Sequence, residues 1–192
     1  DVPPDYASQI GVLLKRAGLP VELPANNNPR NPVPVHRDNN FNQPTDVAWD
    51  SKGNSYFSDG YINSRVAKVN ARGEWIASWG SLGNGPGQFD TPHGIAVSPA
   101  DEIYVADRGN RRIQVFTPEG KYIREFTIDV PVDTTKGKIT YGVELPNAKT
   151  GSQAPGAPDA LCMTPGPNPV LFVGDLYPSR IYKVSLEGKL LG

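Results

Sequence analysis

The feature that most constrains this chain is a unit of sequence that occurs three times. Pro44 and Asp59 of the first copy recur as Pro92 and Asp107 of the second at one constant offset. A third copy over 157–192 repeats the proline and the aspartate at matching places. Repeats of this length form supersecondary units that bury their apolar faces only by packing against one another. The sequence therefore predicts a solenoid or a propeller.

Each copy divides into four short apolar runs separated by turn-forming residues. In the second copy the runs are GIAVS, EIYVAD, RIQVF and KYIREF, and the turns are SPAD, RGNR and TPEG. Brief or alternating apolar runs bounded by turn formers indicate strands, and the glycine that ends TPEG can take the left-handed conformation of a hairpin turn. Four antiparallel strands in a unit of this size are typical of a propeller blade. We therefore predict an all-β propeller of four-stranded blades.

The repeat also divides the chain into segments. Blades are predicted at about 41–80, 88–127 and 157–192, with an insertion over 128–156. Residues 1–40 are predicted to be a lead-in that holds one strand of a partial blade and a loop rich in Asn and Pro. Closed propellers have about 4 to 8 blades, so three blades and a strand do not complete a ring. The chain can be a fragment, half of a ring formed by self-association, or a small ring completed by its N-terminal segment. We favour the fragment, because both ends fall at the same phase of the repeat.

Composition and charge exclude several classes of partner. The formal net charge is −1 and charged residues are spread along the chain, so a nucleic-acid partner is not expected. No window approaches the ~18 apolar residues of a membrane helix. The N-terminal residues lack the basic-then-apolar pattern of a signal peptide, so a periplasmic or secreted protein would already have lost its signal. The single cysteine cannot form a disulfide within the chain.

Several strings in the first two copies resemble those of a known repeat. They are QPTDVA at 43–48, SDGYINSRV at 58–66, GQF at 87–89, PH at 92–93 and VADR at 105–108. The unit as a whole resembles the NHL repeat, and over about 41–126 it is similar to the peptidyl-α-hydroxyglycine α-amidating lyase family. The resemblance implies a six-bladed propeller that cleaves a hydroxylated C-terminal glycine, leaving a peptide amide and glyoxylate.

The same resemblance implies the residues of a site. In the family, three histidines from different blades hold a zinc ion. His93 occupies such a position, whereas Thr45 and Asp159 occupy it in the other two copies. Catalytic zinc needs three protein ligands, so His93 alone is not sufficient. The resemblance also implies that Tyr61 is the catalytic base and that Arg108 binds the substrate carboxylate through paired hydrogen bonds.

The residue types also allow plainer roles. His93 can be a hydrogen-bonded histidine at the rim of the propeller, and Tyr61 can serve as aromatic packing. Polar residues that recur in every copy are expected to be scaffold, with the aspartates accepting backbone hydrogen bonds at strand ends and the arginines pairing one blade with the next. These residues are Asp59, Asp107, Asp175, Arg65, Arg112 and Arg180.

The functional prediction is a zinc-dependent carbon–nitrogen lyase with a peptide or small-molecule substrate. The alternative is a non-catalytic NHL propeller that binds a protein or peptide on one rim. A calcium-dependent sugar-lactone hydrolase is a weaker hypothesis, because no cluster of acidic and Asn ligands stands out in the sequence. A structural calcium ion remains compatible with the sequence. The compartment is not assigned, and a periplasmic or secreted location is left open.

Overall fold

The structure, a computed structural model, describes residues 38–131, 154–176 and 179–192. Within these ranges the chain is all-β, as predicted. No helix in this part of the chain is long and apolar enough to cross a membrane. The predicted lead-in before residue 38 and most of the insertion predicted at 128–156 lie outside the described residues.

Three antiparallel sheets follow one another along the chain, each built from consecutive strands. Blade 1 contains β1 (Asp46–Trp49), β2 (Ser55–Asp59), β3 (Arg65–Val69) and β4 (Trp75–Trp79). Blade 2 contains β5 (Pro92–Val97), β6 (Ile103–Asp107), β7 (Arg112–Phe116) and β8 (Tyr122–Phe126). Blade 3 contains β9 (Pro158–Met163), β10 (Leu171–Asp175) and β11 (Ile181–Val184), followed by one bridge between Val184 and Leu190. The sheets are propeller blades, which confirms the predicted fold class.

In each copy a glycine ends the turn between the third and the fourth apolar run. The φ angles of Gly73, Gly120 and Gly188 are 84°, 82° and 91°, the left-handed conformation that the sequence predicts. A Cβ atom on Gly120 would also lie 2.6 Å from the ring of Trp79. The last turn of blade 2 therefore packs directly on blade 1, at a position that only glycine fits.

The middle blade is buried on both faces because a blade covers each of them. Along β6, Ile103 and Val105 join an apolar cluster shared with blade 1, whereas Tyr104 joins one shared with blade 3. Successive side chains of a strand point to opposite faces, so one continuous apolar run fills both interfaces. All five residues of β6 and all five of β7 are buried. Blade 2 is thus the part of the described chain that holds the other two blades together.

An aspartate at the end of the second strand ties each blade to the backbone that enters it. Three hydrogen bonds from backbone N–H groups, at 2.8, 2.8 and 3.0 Å, join Asn42 to Asp59, Asp90 to Asp107 and Gly156 to Asp175. Burial raises the pKa of Asp107, while Arg112 and the N–H donors act in the opposite direction. A buried carboxylate is costly unless it is paired and hydrogen-bonded, so these donors are necessary to the fold.

The recurring arginines of the first two blades form ion pairs within a blade. We expected them to pair one blade with the next, and for these ion pairs that expectation is wrong. Arg65 Nε donates to Asp59 at 3.0 Å, and Arg112 Nε donates to Asp107 at 2.7 Å. Nη1 of Arg112 also pairs with Glu125 of β8 at 2.9 Å. The Nη1 and Nη2 groups donate in addition to backbone carbonyls of the segment between blades 1 and 2, those of Asn84, Gly85 and Gln88. A guanidinium suits this position because its fork of N–H donors can satisfy several acceptors at once.

Blade 3 holds its aspartate with neutral donors. The Tyr182 hydroxyl donates to Asp175 at 2.6 Å, and the backbone N–H of Arg180 donates to the same carboxylate at 2.7 Å. Arg180 itself is exposed. The third copy therefore keeps the aspartate of the repeat but uses a different side chain as its buried partner.

This difference predicts unequal costs for removing the aspartate. Asp107→Ala removes the closest carboxylate of the buried Arg112 guanidinium and leaves it paired with the part-exposed Glu125, so we expect unfolding to become easier by about 3–4 kcal/mol. Asp175→Ala removes only bonds from neutral donors, for which we expect a loss of about 1–3 kcal/mol. Urea titration of the two variants against the unaltered protein checks this, and equal losses would contradict the assigned partners.

Candidate functional site

Three side chains that the sequence singles out lie together in the structure. Tyr61 follows β2, His93 is the second residue of β5, and Arg108 directly follows β6. The Tyr61 hydroxyl lies 3.4 Å from Nε2 of His93, and the two rings meet edge to face with centroids 5.8 Å apart. The Cζ atom of Arg108 lies 5.5 Å from the centroid of the Tyr61 ring. The junction of blades 1 and 2 thus brings a phenol, an imidazole and a guanidinium to one place.

Asp159 is a fourth member of this group, and sequence reasoning gave it no role. It is the second residue of β9, in blade 3. Its Oδ1 accepts a hydrogen bond from Nη1 of Arg108 at 2.7 Å and lies 3.4 Å from Nδ1 of His93. Asp159 takes the place of His93 in the third copy of the repeat, and that correspondence could have placed a carboxylate beside Arg108. The Arg108 side chain is only 7% exposed, so its charge is balanced inside the site.

The contacts of the His93 ring fix its tautomer. Nδ1 lies 3.0 Å from the backbone carbonyl oxygen of Asp159. A carbonyl can only accept, so Nδ1 carries the proton and Nε2 keeps its lone pair toward the Tyr61 hydroxyl. Burial lowers the pKa of His93; the Asp159 carboxylate opposes this shift, and Arg108 reinforces it. The neutral ring, with Nε2 available as an acceptor or ligand, is therefore the favoured form.

Two glycines let the blades approach closely enough to form the site. A Cβ atom on Gly94 would lie 2.8 Å from the carbonyl oxygen of Asp159 and 2.7 Å from the backbone nitrogen of Leu161. A Cβ atom on Gly60 would collide with the carbonyl oxygen of Pro92. These glycines precede Tyr61 and follow His93 in the chain. Close backbone approach is thus what carries Tyr61 to His93 and the Asp159 carbonyl to Nδ1.

Hydroxyl groups of blade 1 hold the backbone of His93. Thr45 Oγ1 lies 3.0 Å from the carbonyl oxygens of both Pro92 and His93. The Ser58 hydroxyl donates to the carbonyl of His93 at 2.5 Å. The strand that carries His93 is therefore fixed from one side by hydroxyls of blade 1 and from the other by the backbone of β9.

The environment of His93 suits a zinc ligand, but the described residues do not complete a set of ligands around it. Histidines that bind metals usually donate their second N–H to a carbonyl or carboxylate, as Nδ1 does here toward Asp159. The described residues contain no group of three or more His, Cys, Asp or Glu side chains that could hold a metal ion. They therefore fit one ligand of a zinc site and its supporting contact, and the other ligands would have to come from outside the described part of the chain.

Gly94 provides a test of this geometry. Gly94→Ala forces β5 and β9 apart, so we expect a loss of stability of about 1–3 kcal/mol and loss of the slowly exchanging Nδ1 proton of His93. The chain has two histidines, so ¹⁵N-histidine NMR spectra are simple to assign with a His36→Gln variant.

Gly174→Ala is the matched control for Gly94→Ala. A Cβ atom on Gly174 would lie 3.6 Å from the Cβ of Ala160, an ordinary contact, so we expect a stability change within about 0.5 kcal/mol. Equal stability of the two variants, with the His93 signal retained in both, would show that the site does not need the close approach of β5 and β9.

Comparison with known proteins agrees with the fold and with the resemblance. A family model of the NHL repeat matches residues 89–116. Peptidylglycine alpha-amidating monooxygenase of Rattus norvegicus is 43% identical over 103 residues, which cover 50% of this chain and 11% of that protein. Probable peptidyl-alpha-hydroxyglycine alpha-amidating lyase pgal-1 of Caenorhabditis elegans is 27% identical over 183 residues, which cover 80% of this chain and 52% of that protein. The chain thus spans about half of the worm protein and about a tenth of the rat protein.

Among solved structures, hydrazine synthase of Kuenenia stuttgartiensis superposes with a TM-score of 0.53 at 13% identity. The match covers 82% of this chain and 37% of the other. Identity this low supports the fold alone. The match to the family model shows that this chain contains an NHL repeat. The match to the worm protein shows that the chain is similar to peptidyl-α-hydroxyglycine α-amidating lyases.

Proposed function

We propose that the protein is a peptidyl-α-hydroxyglycine α-amidating lyase. The observation that carries the proposal is the convergence of Tyr61, His93 and Arg108, each from a string that resembles this family. The similarity to a relative that is named for the same reaction supports it. The proposed substrate is a peptide that ends in α-hydroxyglycine.

The proposed reaction is an elimination with no change in overall oxidation state. A base removes the proton of the α-hydroxyl group, and its oxygen forms a carbonyl with the α-carbon as the C–N bond breaks. The electron pair of that bond passes to the amide nitrogen, which takes up a proton. The products are a peptide amide and glyoxylate. General base catalysis of this kind contributes about 10²- to 10⁴-fold to a rate.

Tyr61 is the base in this proposal. Its side chain is 46% exposed and can be reached from solvent, while its ring is held by the edge of His93 and by Arg108. To act as the base, Tyr61 must be in its phenolate form. It takes the proton of the substrate hydroxyl and becomes the neutral phenol, while negative charge moves to the substrate oxygen.

Arg108 is the group that binds the substrate carboxylate in this proposal. A guanidinium has five N–H donors, and the Asp159 carboxylate accepts from Nη1. Within the described residues, the buried Nε atom has no hydrogen-bond partner. The guanidinium therefore has donor capacity left for a carboxylate, for which its planar fork is well suited.

His93 completes the proposed site as a ligand for zinc through Nε2. A zinc ion bound there would supply a Lewis acid that polarises an oxygen of the substrate. The chain itself contributes the orientation of the ring, through the contact of Nδ1 with the Asp159 carbonyl. The neutral form that burial favours is also the form that can bind a metal.

Tyr61→Phe tests the catalytic role with little structural change. The substitution removes one hydroxyl and keeps the ring against His93 and Arg108, so we expect kcat to fall by about 10²- to 10⁴-fold with the fold intact. The assay measures glyoxylate released from a peptide ending in α-hydroxyglycine. Tyr122→Phe is the control, because that hydroxyl is exposed and its one bond within the described residues is to Glu125 at 3.3 Å. Glyoxylate release that is undetectable in the unaltered protein would favour the non-catalytic propeller.

Metal content tests His93 separately. We expect zinc that co-purifies with the protein to be lost in His93→Ala, which is measured by mass spectrometry of the metal. We expect the variant to remain folded, which is measured by circular dichroism. His36→Ala, at the second histidine of the chain, is the control for removal of a histidine elsewhere. Zinc that persists in His93→Ala would exclude His93 as a ligand.

A further inference from the structure

Asp159 joins two groups of the site that come from the neighbouring blade. Its carboxylate holds Nη1 of Arg108 at 2.7 Å, and its backbone carbonyl holds Nδ1 of His93 at 3.0 Å. Asp159 stands on blade 3, whereas both of its partners stand on blade 2. A single residue therefore connects the third blade to the centre of the site.

The ion pair with Asp159 is suited to orient the Arg108 side chain. A free arginine side chain has many rotamers, and ordering it costs conformational entropy. Here the guanidinium is fixed between the Asp159 carboxylate and the face of the Tyr61 ring, and its side chain is 7% exposed. Asp159 is itself 20% exposed, so the pair is partly shielded from solvent. The carboxylate leaves other N–H donors of Arg108 available.

We propose that Asp159 is a positioning residue that holds Arg108 ready for the carboxylate of the substrate. The inference rests on the proposed function, since it assigns Arg108 the same ligand. Asp159 contacts a group that binds substrate, and it does not act on the reacting atoms. The opposite role is a carboxylate that occupies Arg108 and must be displaced by the substrate. The two roles predict opposite changes in affinity when Asp159 is removed.

The first experiment needs no substrate. The measured signal is that of the Arg108 Nε–H group in ¹⁵N NMR spectra of the ligand-free protein, and Arg108→Lys assigns it. We expect this signal to be sharp in the unaltered protein. In Asp159→Ala we expect that signal to broaden or exchange rapidly. Asp159→Asn keeps an oxygen acceptor for Nη1 and should retain the signal. An unchanged signal in Asp159→Ala would overturn the proposal, whatever the activity of the protein.

The second experiment measures binding of a stable carboxylate probe, N-benzoylglycine, by titration calorimetry. We expect Asp159→Ala to bind it about 10-fold more weakly, the lower end of the range seen when a supporting contact is removed, with a smaller loss in Asp159→Asn. N-benzoylglycinamide, which lacks the carboxylate, should bind equally to all three proteins. Glu119→Ala, at an exposed turn of blade 2, is the control for loss of a carboxylate elsewhere.

The outcomes separate this inference from the proposed function. Tighter binding of N-benzoylglycine to Asp159→Ala would overturn the positioning role, because it would show that Asp159 competes with the ligand. A broadened Arg108 signal in Asp159→Ala would uphold the positioning of the side chain. If the unaltered protein then bound N-benzoylglycine no better than its amide, the proposed function would be rejected while the positioning role stood. Circular dichroism and urea titration show whether each variant is folded.

Discussion

The structure depends on a buried carboxylate at the end of the second strand of each blade. In blades 1 and 2 this carboxylate accepts from both an arginine and the backbone that enters the blade. Because this carboxylate is removed from water, its oxygens must be hydrogen-bonded. The entering backbone and the arginine of the third strand supply the donors, so both must lie close to the aspartate. The residues after each aspartate are thereby placed at one edge of the blade, which is where Tyr61 and Arg108 lie.

The site is built between blades and not within one of them. Gly60 and Gly94 permit backbone contacts that any side chain would prevent, and hydroxyl groups of Thr45 and Ser58 fix the strand of His93. Arg108 and Asp159 then place opposite charges at 2.7 Å with little solvent around them. Polar groups that are held in this way cannot reorganise freely, which is the condition for strong electrostatic effects on a bound ligand.

The sequence predicted the repeat, the strands of the second blade and the left-handed turn glycines, because these follow from local periodicity and from the freedom of glycine. It could not predict that Arg65 and Arg112 pair within a blade, since recurrence alone does not tell which neighbour a side chain meets. At the level of sequence, Asp159 is only the residue that replaces histidine in the third copy of the repeat. Its role depends on the distance between β5 and β9, which Gly94 sets and which no local pattern reveals.

The distribution of the site over three repeats has a consequence for folding. Tyr61 comes from blade 1, His93 and Arg108 from blade 2, and Asp159 from blade 3. Each blade can form its own hairpins from contacts that are near in sequence, and such contacts form early. The His93 contact with Asp159 spans 66 positions, so it appears only once separate blades have docked. The residues of the site therefore meet only after the three blades have docked, and their arrangement is lost when one of these blades detaches.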